Sequence, residues 1–259
     1  LDHPAAVIVE TVQGEGGLNA ASFGWLRRLQ TICKKHQILL IVDDIQAGCG
    51  RTGDFFSFTA AGIQPDIITL SKSISGFGLP MAVVLMKPEY DQWKPAEHNG
   101  TFRGNNHAFI TAAAALDHYW STEDFAASIE EKGKLLERRL QSIMTQHSDH
   151  VVEVRGRGMM RGIRCKDPKQ AAAITAQAFN NGAIFERAGS HDEVIKFLMP
   201  LTIETCHLNE GLDILQHAFE TVINPVSGGK IRCAATTGQA DSVAPHTIAS
   251  DKSDLVEID

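Results

Sequence analysis

Two kinds of hydrophobic pattern alternate along the front of this chain. Residues 5–9, 38–42, 67–70 and 81–85 are short continuous apolar runs. Runs that do not alternate with polar residues suit strands buried on both faces, as in a parallel sheet covered by helices. Between the first two runs, Phe23, Leu26, Leu29, Ile32 and Cys33 recur at helical spacing behind Ser22, a residue suited to cap a helix. Strands separated by helices predict part of a doubly wound α/β layer over residues 1–120.

Further on the pattern changes. Residues 106–119 are alanine-rich and read as a helix. Ser121 with Asp124 has the spacing of a capping box and opens a long helix running to about His147. Residues 151–154, 162–165, 183–185 and 195–198 then read as short strands, with helices near 168–180 and 209–223. In the last helix Leu212, Leu215, Phe219 and Val222 form the apolar stripe. The organisation predicted is a large-domain portion over 1–120, a connecting helix over 121–150 and a smaller α+β domain over 151–224. From Pro225 onward Ser, Gly, Ala, Thr and Asp dominate, which predicts a disordered tail over 225–259. The chain opens at Leu1 and enters its first apolar run within four residues, so it is read as the back part of a longer protein.

Composition narrows the partners. The 259 residues carry 24 Lys and Arg against 31 Asp and Glu, a net charge of −7, with no basic cluster. That balance argues against a nucleic-acid or anionic-membrane partner. The longest apolar run, residues 79–86, falls far short of the roughly 20 residues a membrane span needs. No signal-peptide pattern opens the chain. Cys33, Cys49, Cys165, Cys206 and Cys233 form no C-x-x-C pair; reduced thiols in a cytoplasmic protein are expected, with no disulfide framework and no metal site. His107, His118, His147 and His150 lack partners at ligand spacing and are expected on helix surfaces. Cys206 and His207 are adjacent and lack a third member for nucleophilic work. Arg157 and Arg161 are expected around a turn as solvated or domain-linking charges, and Trp93, Tyr119 and Trp120 as packing.

In open α/β sheets, ligands sit at the carboxyl ends of the strands. Three polar sets lie there: Glu15, then Asp43-Asp44-Ile45-Gln46, then Ser71-Lys72-Ser73. A carboxylate and a lysine at the ends of neighbouring buried strands suit pyridoxal 5'-phosphate. The lysine condenses with the cofactor's aldehyde. The carboxylate keeps the pyridine nitrogen protonated and the ring an electron sink. Ile45 is then expected on the ring face and Gln46 at the ring hydroxyl. The same apolar run and acid pair also match the magnesium-binding strand of a P-loop ATPase. That reading requires G-x-x-x-x-G-K-[ST], which the chain lacks.

Five segments in chain order carry a family resemblance. Residues 9–17 (VETVQGEGG) and 42–53 (VDDIQAGCGRTG) resemble the glutamate-bearing turn and cofactor-ring motif of the class III (ω-amino acid) aminotransferases. Pro65-Asp66 with Ser71-Lys72, Gly100-Thr101-Phe102 with Gly104-Asn105, and residues 155–160 (RGRGMM) resemble that family's lysine segment, phosphate-contact segment and small-domain entry. The resemblance implies the fold type I aminotransferase architecture: a partial, parallel-rich large-domain sheet plus a small α+β C-terminal domain. It implies pyridoxal 5'-phosphate as cofactor, joined to the catalytic Lys72, with Asp43 at the ring nitrogen and Ile45 and Gln46 at the ring. Thr101 is implied at the cofactor phosphate of a neighbouring subunit, hence a homodimer or higher homo-oligomer.

Glu15 is implied as the acid that alternately masks and frees a cation for the substrate carboxylate. Lys196 stands where glutamate-using relatives carry arginine, and an ammonium lacks the bidentate grip of a guanidinium. Lys196 is therefore expected either as that cation or only as Glu15's structural partner. Residues 71–81 and 98–106 are most similar to the branch acting in ectoine biosynthesis. That branch moves the amino group of L-glutamate to L-aspartate 4-semialdehyde, giving L-2,4-diaminobutyrate and 2-oxoglutarate. Another ω-amino acid aminotransferase, or an inactive fragment, are the alternatives. The front of the family fold is missing, so the chain on its own is expected to be inactive.

Overall fold

In a computed structural model, which describes residues 3–224, the front apolar runs become one sheet. β1 (Ala6–Val9), β2 (Leu39–Asp43), β3 (Ile67–Leu70) and β4 (Val83–Met86) lie side by side in chain order. β1, β2 and β3 are parallel, with Val9 opposite Val42 and Asp43 opposite Thr69, while β4 runs antiparallel to β3. Helix α1 (Phe23–His36) supplies the crossover between β1 and β2; the Ser22 hydroxyl accepts the Trp25 N–H at 3.2 Å as its cap. Leu26 and Cys33 of α1 pack on Leu40 and Val42 of β2. Burial is less complete than the unbroken apolar runs imply. Ile8 on β1 and Val84 and Leu85 on β4 are exposed, because both strands are edges among the described residues.

Helices α2 (Asn106–Trp120) and α3 (Asp124–Gln146) follow. Asn105 caps α2 through its side chain. The expected capping box at Ser121 does not form, because Ser121 terminates α2. Glu123 takes the cap position of α3 without a side-chain bond, and Thr122 bonds Asp124 instead.

The remaining strands form a second, antiparallel sheet. β5 (Val151–Arg157), β6 (Met160–Cys165), β7 (Glu186–Ala188) and β8 (Val194–Phe197) take the order β5-β6-β8-β7. Residues 183–185, read as a strand from their apolar content, precede the ladder. Phe185 packs against the core there without pairing, and the strand begins one residue later at Glu186. Helix α4 (Pro168–Asn180) starts behind Asp167, which accepts the Lys169 N–H, with Pro168 in the first turn. Helix α5 (Thr205–Ile223) begins four residues ahead of the start expected at 209.

One face of this second sheet packs on α3, α4 and α5 through Leu136, Ile163, Ile174, Ile195, Leu212 and Phe219. The opposite face lies on the loops of the first sheet: Met160 and Val194 meet Val12, Leu18 and Ala47. Among the described residues no helix is long and apolar enough to cross a membrane. The tail expected over 225–259 lies outside the described residues.

Candidate active site

The turn after β2 separates two adjacent acids. Successive residues of a strand point to opposite faces. Asp43 closes its own turn: Oδ1 accepts the Ile45 N–H at 3.1 Å and the Thr69 hydroxyl of β3 at 3.4 Å. Asp44 turns the other way and is fully buried. It accepts the Ser57 N–H at 3.0 Å and the Ser57 hydroxyl, whose oxygen in turn accepts from Thr11 at 2.6 Å. Burial pushes the Asp44 carboxyl up, against the pull of the two Ser57 bonds. Asp44 is thus spent on structure, and Asp43 is the acid left at the strand tip.

Lys72 follows β3 after one intervening residue and opens a short 3-10 turn, Lys72–Ser75. Its φ of +52° is left-handed, which costs a residue with a Cβ roughly 1–2 kcal/mol. Packing enforces it: the Ser71 hydroxyl donates to the Met81 carbonyl at 2.7 Å, and the turn rests on α2. Gly76 ends the turn where a Cβ would lie 2.5 Å from that of Ala115 on α2. Strain held at one exposed lysine by surrounding structure is a feature of functional sites.

Lys72 lines two clefts. One, of about 610 Å³, is walled by Cys49, Phe55, Tyr119 and Trp120. Trp120 also packs edge-on against Phe55 and Phe125, so the packing expected of it holds alongside its place in the wall. The other, of about 490 Å³, brings Lys72 together with Glu15, Ile45, Gln46, Arg51 and Lys196.

In the second cleft Glu15 accepts from Gln46 Nε2 at 3.0 Å and from Lys196 Nζ at 2.9 Å. Those two bonds, the Gln46 bond first, hold its carboxyl below the ordinary value, and the charges of Lys196 and Lys72 add to the shift. The loop is pinned to the second sheet: Gly189 N–H donates to the Glu15 carbonyl at 3.0 Å, and Arg155 reaches the Gly17 carbonyl at 3.2 Å. Lys196 reaches Glu15 because of its phase on β8. Ile195 and Phe197 face the helices, so Val194 and Lys196 face the loops. Gln46 keeps one buried atom, Oε1, without a hydrogen-bond partner among the described residues.

Four residues of this arrangement carried no sequence signal as site residues. Glu186 stands opposite Lys196 in the β7–β8 register, 3.3 Å from its Nζ. A strand drawn over 183–185 stops just short of it. Arg51 donates to the Met199 carbonyl at 2.5 Å, and burial lowers its guanidinium to about 10. Thr11 and Ser57 hold Asp44 in place.

Thr101 is exposed in a turn apart from the Lys72 clefts. Arg157 links the sheets, donating to the carbonyls of Thr11 and Ser57 at 3.0 and 3.4 Å and lying 4.8 Å over the Phe23 ring. Arg161 pairs with Glu137 at 2.8 Å. His147, expected on a helix surface, is buried and stacked on Phe219, because α3 ends against α5. Cys206 and His207 do have a neighbour, Glu204, whose carboxylate lies 3.5 Å from the thiol, but all three are exposed.

The model of the family Aminotransferase class-III matches residues 2–219. The chain belongs to the class III aminotransferases. Among curated relatives, diaminobutyrate–2-oxoglutarate transaminase of Vibrio parahaemolyticus is 60% identical over 222 residues, which are 86% of this chain and 53% of the relative. The protein of that name from Halomonas elongata is 58% identical over 218 residues, 83% of this chain and 52% of the relative. The chain therefore spans about half the length of these relatives. Among solved structures, ornithine aminotransferase from Toxoplasma gondii aligns with a TM-score of 0.78 at 30% identity, over 85% of this chain and 51% of that one; its description reports partial occupancy of pyridoxal phosphate at the active site. N-acetylornithine aminotransferase from Stenotrophomonas maltophilia aligns with a TM-score of 0.74 at 33% identity, over 85% of this chain and 57% of that one. The class III, fold type I architecture thus agrees with the parallel-rich first sheet and the antiparallel second one.

Proposed function

We propose that the whole protein carrying these residues is a pyridoxal phosphate-dependent aminotransferase. It moves the amino group of L-glutamate to L-aspartate 4-semialdehyde, giving L-2,4-diaminobutyrate and 2-oxoglutarate, in the cytoplasm as a step of ectoine biosynthesis. One observation carries the reading: a strained, exposed lysine shares a cleft with Ile45, Gln46, Glu15 and Lys196, on the strand next to the one ending in Asp43. Support for the substrates comes from relatives named as diaminobutyrate transaminases at 55–60% identity, against 30–33% for the ornithine and acetylornithine enzymes among the solved structures.

When bound, pyridoxal phosphate supplies an aldehyde for the amino group and a ring that delocalises the electrons left as the proton leaves the amino-bearing carbon. The chain's own residues supply the rest. Lys72 Nζ would hold the cofactor covalently, and as a free amine it would carry the proton between carbons. The Asp43 carboxylate holds a proton on the ring nitrogen, its geometry set by Ile45 N–H and Thr69. Ile45 covers the ring face. Gln46 would bond the ring hydroxyl. Thr101 contacts phosphate across a homodimer. Glu15 pairs with Lys196, and by turning away it frees that ammonium for the carboxylate of glutamate. Residues 1–120, 121–150 and 151–224 serve as large-domain portion, connecting helix and small domain.

The test is direct. The whole protein is incubated with pyridoxal phosphate, reduced with borohydride and mapped by mass spectrometry; a pyridoxyl group on the Lys72 peptide is expected, and its absence overturns the cofactor assignment. Turnover is then compared for aspartate 4-semialdehyde and other aldehyde acceptors with glutamate as donor. Preference for a different acceptor overturns the substrate assignment. Residues 1–259 by themselves are expected to show no turnover.

A further inference from the structure

Lys196 has a second acidic neighbour. Its side chain is 2% exposed, yet it meets two carboxylates, Glu15 at 2.9 Å and Glu186 at 3.3 Å, which are 76% and 69% exposed at the cleft. Glu186 is the direct cross-strand partner of Lys196 on β7, so the pair is built into the sheet register and does not depend on loop position. Glu15, by contrast, sits on a loop and is shared with Gln46.

The charges do not cancel. Around Lys196 itself, two carboxylates and one ammonium sum to −1. Arg51 and Lys72 line the same cleft and keep their own positive charges, Arg51 with one N–H directed at the Met199 carbonyl. An excess carboxylate at a partly screened cleft attracts cations and repels anions. Even when Glu15 turns away, Glu186 remains on Lys196 and competes with any incoming carboxylate.

We infer that Glu186 is a specificity-determining residue that selects amino donors and acceptors bearing a second ammonium group, and does so at the expense of affinity for glutamate. The inference rests on the aminotransferase reading and deepens it. In a substrate such as 2,4-diaminobutyrate the amino group that reacts is the distal one, and the remaining ammonium is the group Glu186 recognises. The Glu186 carboxylate accepts from that ammonium while Lys196 stays paired to Glu15.

The experiment uses the whole protein loaded with pyridoxal phosphate, and single half-turnovers with four donors: 2,4-diaminobutyrate, ornithine, 4-aminobutyrate and glutamate. The first two carry a second ammonium, 4-aminobutyrate does not, and glutamate is a net anion. With Glu186→Gln, kcat/KM is expected to fall about fivefold for the diamino donors, the size of one screened charge contact. It should rise through a lower KM for 4-aminobutyrate and glutamate, which bring carboxylate and no second ammonium. Glu186→Asp should restore part of the diamino preference. Opposite signs for diamino donors and glutamate are a signature that general damage to the fold cannot give. Equal losses for all donors, or no change in the ratios, overturn the inference. If the unaltered protein prefers ornithine to diaminobutyrate, the substrate assignment falls, while the effect of Glu186→Gln on the ornithine to 4-aminobutyrate ratio still decides the role of Glu186. If it uses no diamino donor, both fall.

Discussion

Arg157 donates to the backbone carbonyl of Thr11 at 3.0 Å, tying strand β5 to the turn after β1 across 146 residues of chain. The same guanidinium reaches the Ser57 carbonyl and covers the Phe23 ring. Ser57 in turn holds Asp44 beside the acid proposed for the cofactor. One side chain thus joins the second sheet to the backbone beneath the site.

Replacing Arg157 with alanine leaves two carbonyls with fewer partners and removes the contact over Phe23. A loss of about 2 kcal/mol is expected, read as a lower urea midpoint. Arg157→Lys should recover only part of it, since an ammonium cannot span both carbonyls as a guanidinium fork does. Unchanged midpoints would mean that the sheets are joined by apolar contact alone.

The left-handed backbone at Lys72 makes a prediction about stability that is separate from catalysis. In the whole protein, Lys72→Gly and Lys72→Ala are both expected to abolish turnover. Glycine adopts φ of +52° without the Cβ penalty, so in the folded state it gains roughly 1 kcal/mol over alanine, partly offset by glycine's greater freedom when unfolded. Calorimetry should therefore find the glycine variant at least as stable as the alanine variant. Alanine clearly ahead would show that the turn is relaxed rather than strained.

The described thiols differ in access and ionisation. Burial pushes Cys49 up to about 11 and Cys165 to about 12, and raises Cys33 as well, whereas Cys206 is exposed. At pH 8 about one Cys49 in a thousand is a thiolate. Iodoacetamide at that pH is expected to label Cys206 first among these four, and the other three only after denaturant is added. Early labelling of Cys49, which lines the larger Lys72 cleft, would place that wall in water.

His147 gives a pH dependence with a definite sign. Burial, chiefly, lowers its pKa below the ordinary 6.5; His150 adds to this and Glu220 opposes it. The folded state thus holds its proton less readily than the unfolded state. The stability this provides is complete above the ordinary value and is lost as pH falls through the lowered one. His147→Phe retains a ring against Phe219 and removes the titration. Its midpoint should fall less steeply than the parent's as pH drops below about 6.5. Parallel curves would refute the assignment of this slope to His147.

Much of this was legible in the residues before any coordinates. Ser22 sits before a periodic apolar segment and does cap a helix. The unbroken apolar runs reappear as β1 to β4, although Ile8 on β1 and Val84 and Leu85 on β4 stay exposed at the two edges. What failed did so for identifiable reasons. Ser121 could serve only one helix end, and with three residues between the two helices it serves α2. Residues 183–185 carried the apolar content of a strand, but pairing with β8 starts at Glu186, and that one-residue difference hid the partner of Lys196.

Residue type and spacing along the chain suffice for the helices, the strand runs and the motif by which Lys72 and Asp43 are recognised, because each depends on neighbours a few positions away. Which of two adjacent acids is free, which carboxylates surround Lys196, and that His147 is buried all depend on groups brought together across tens to hundreds of residues. Burial, strand register and hydrogen-bond sharing assign those roles, and they exist only once the two sheets have packed.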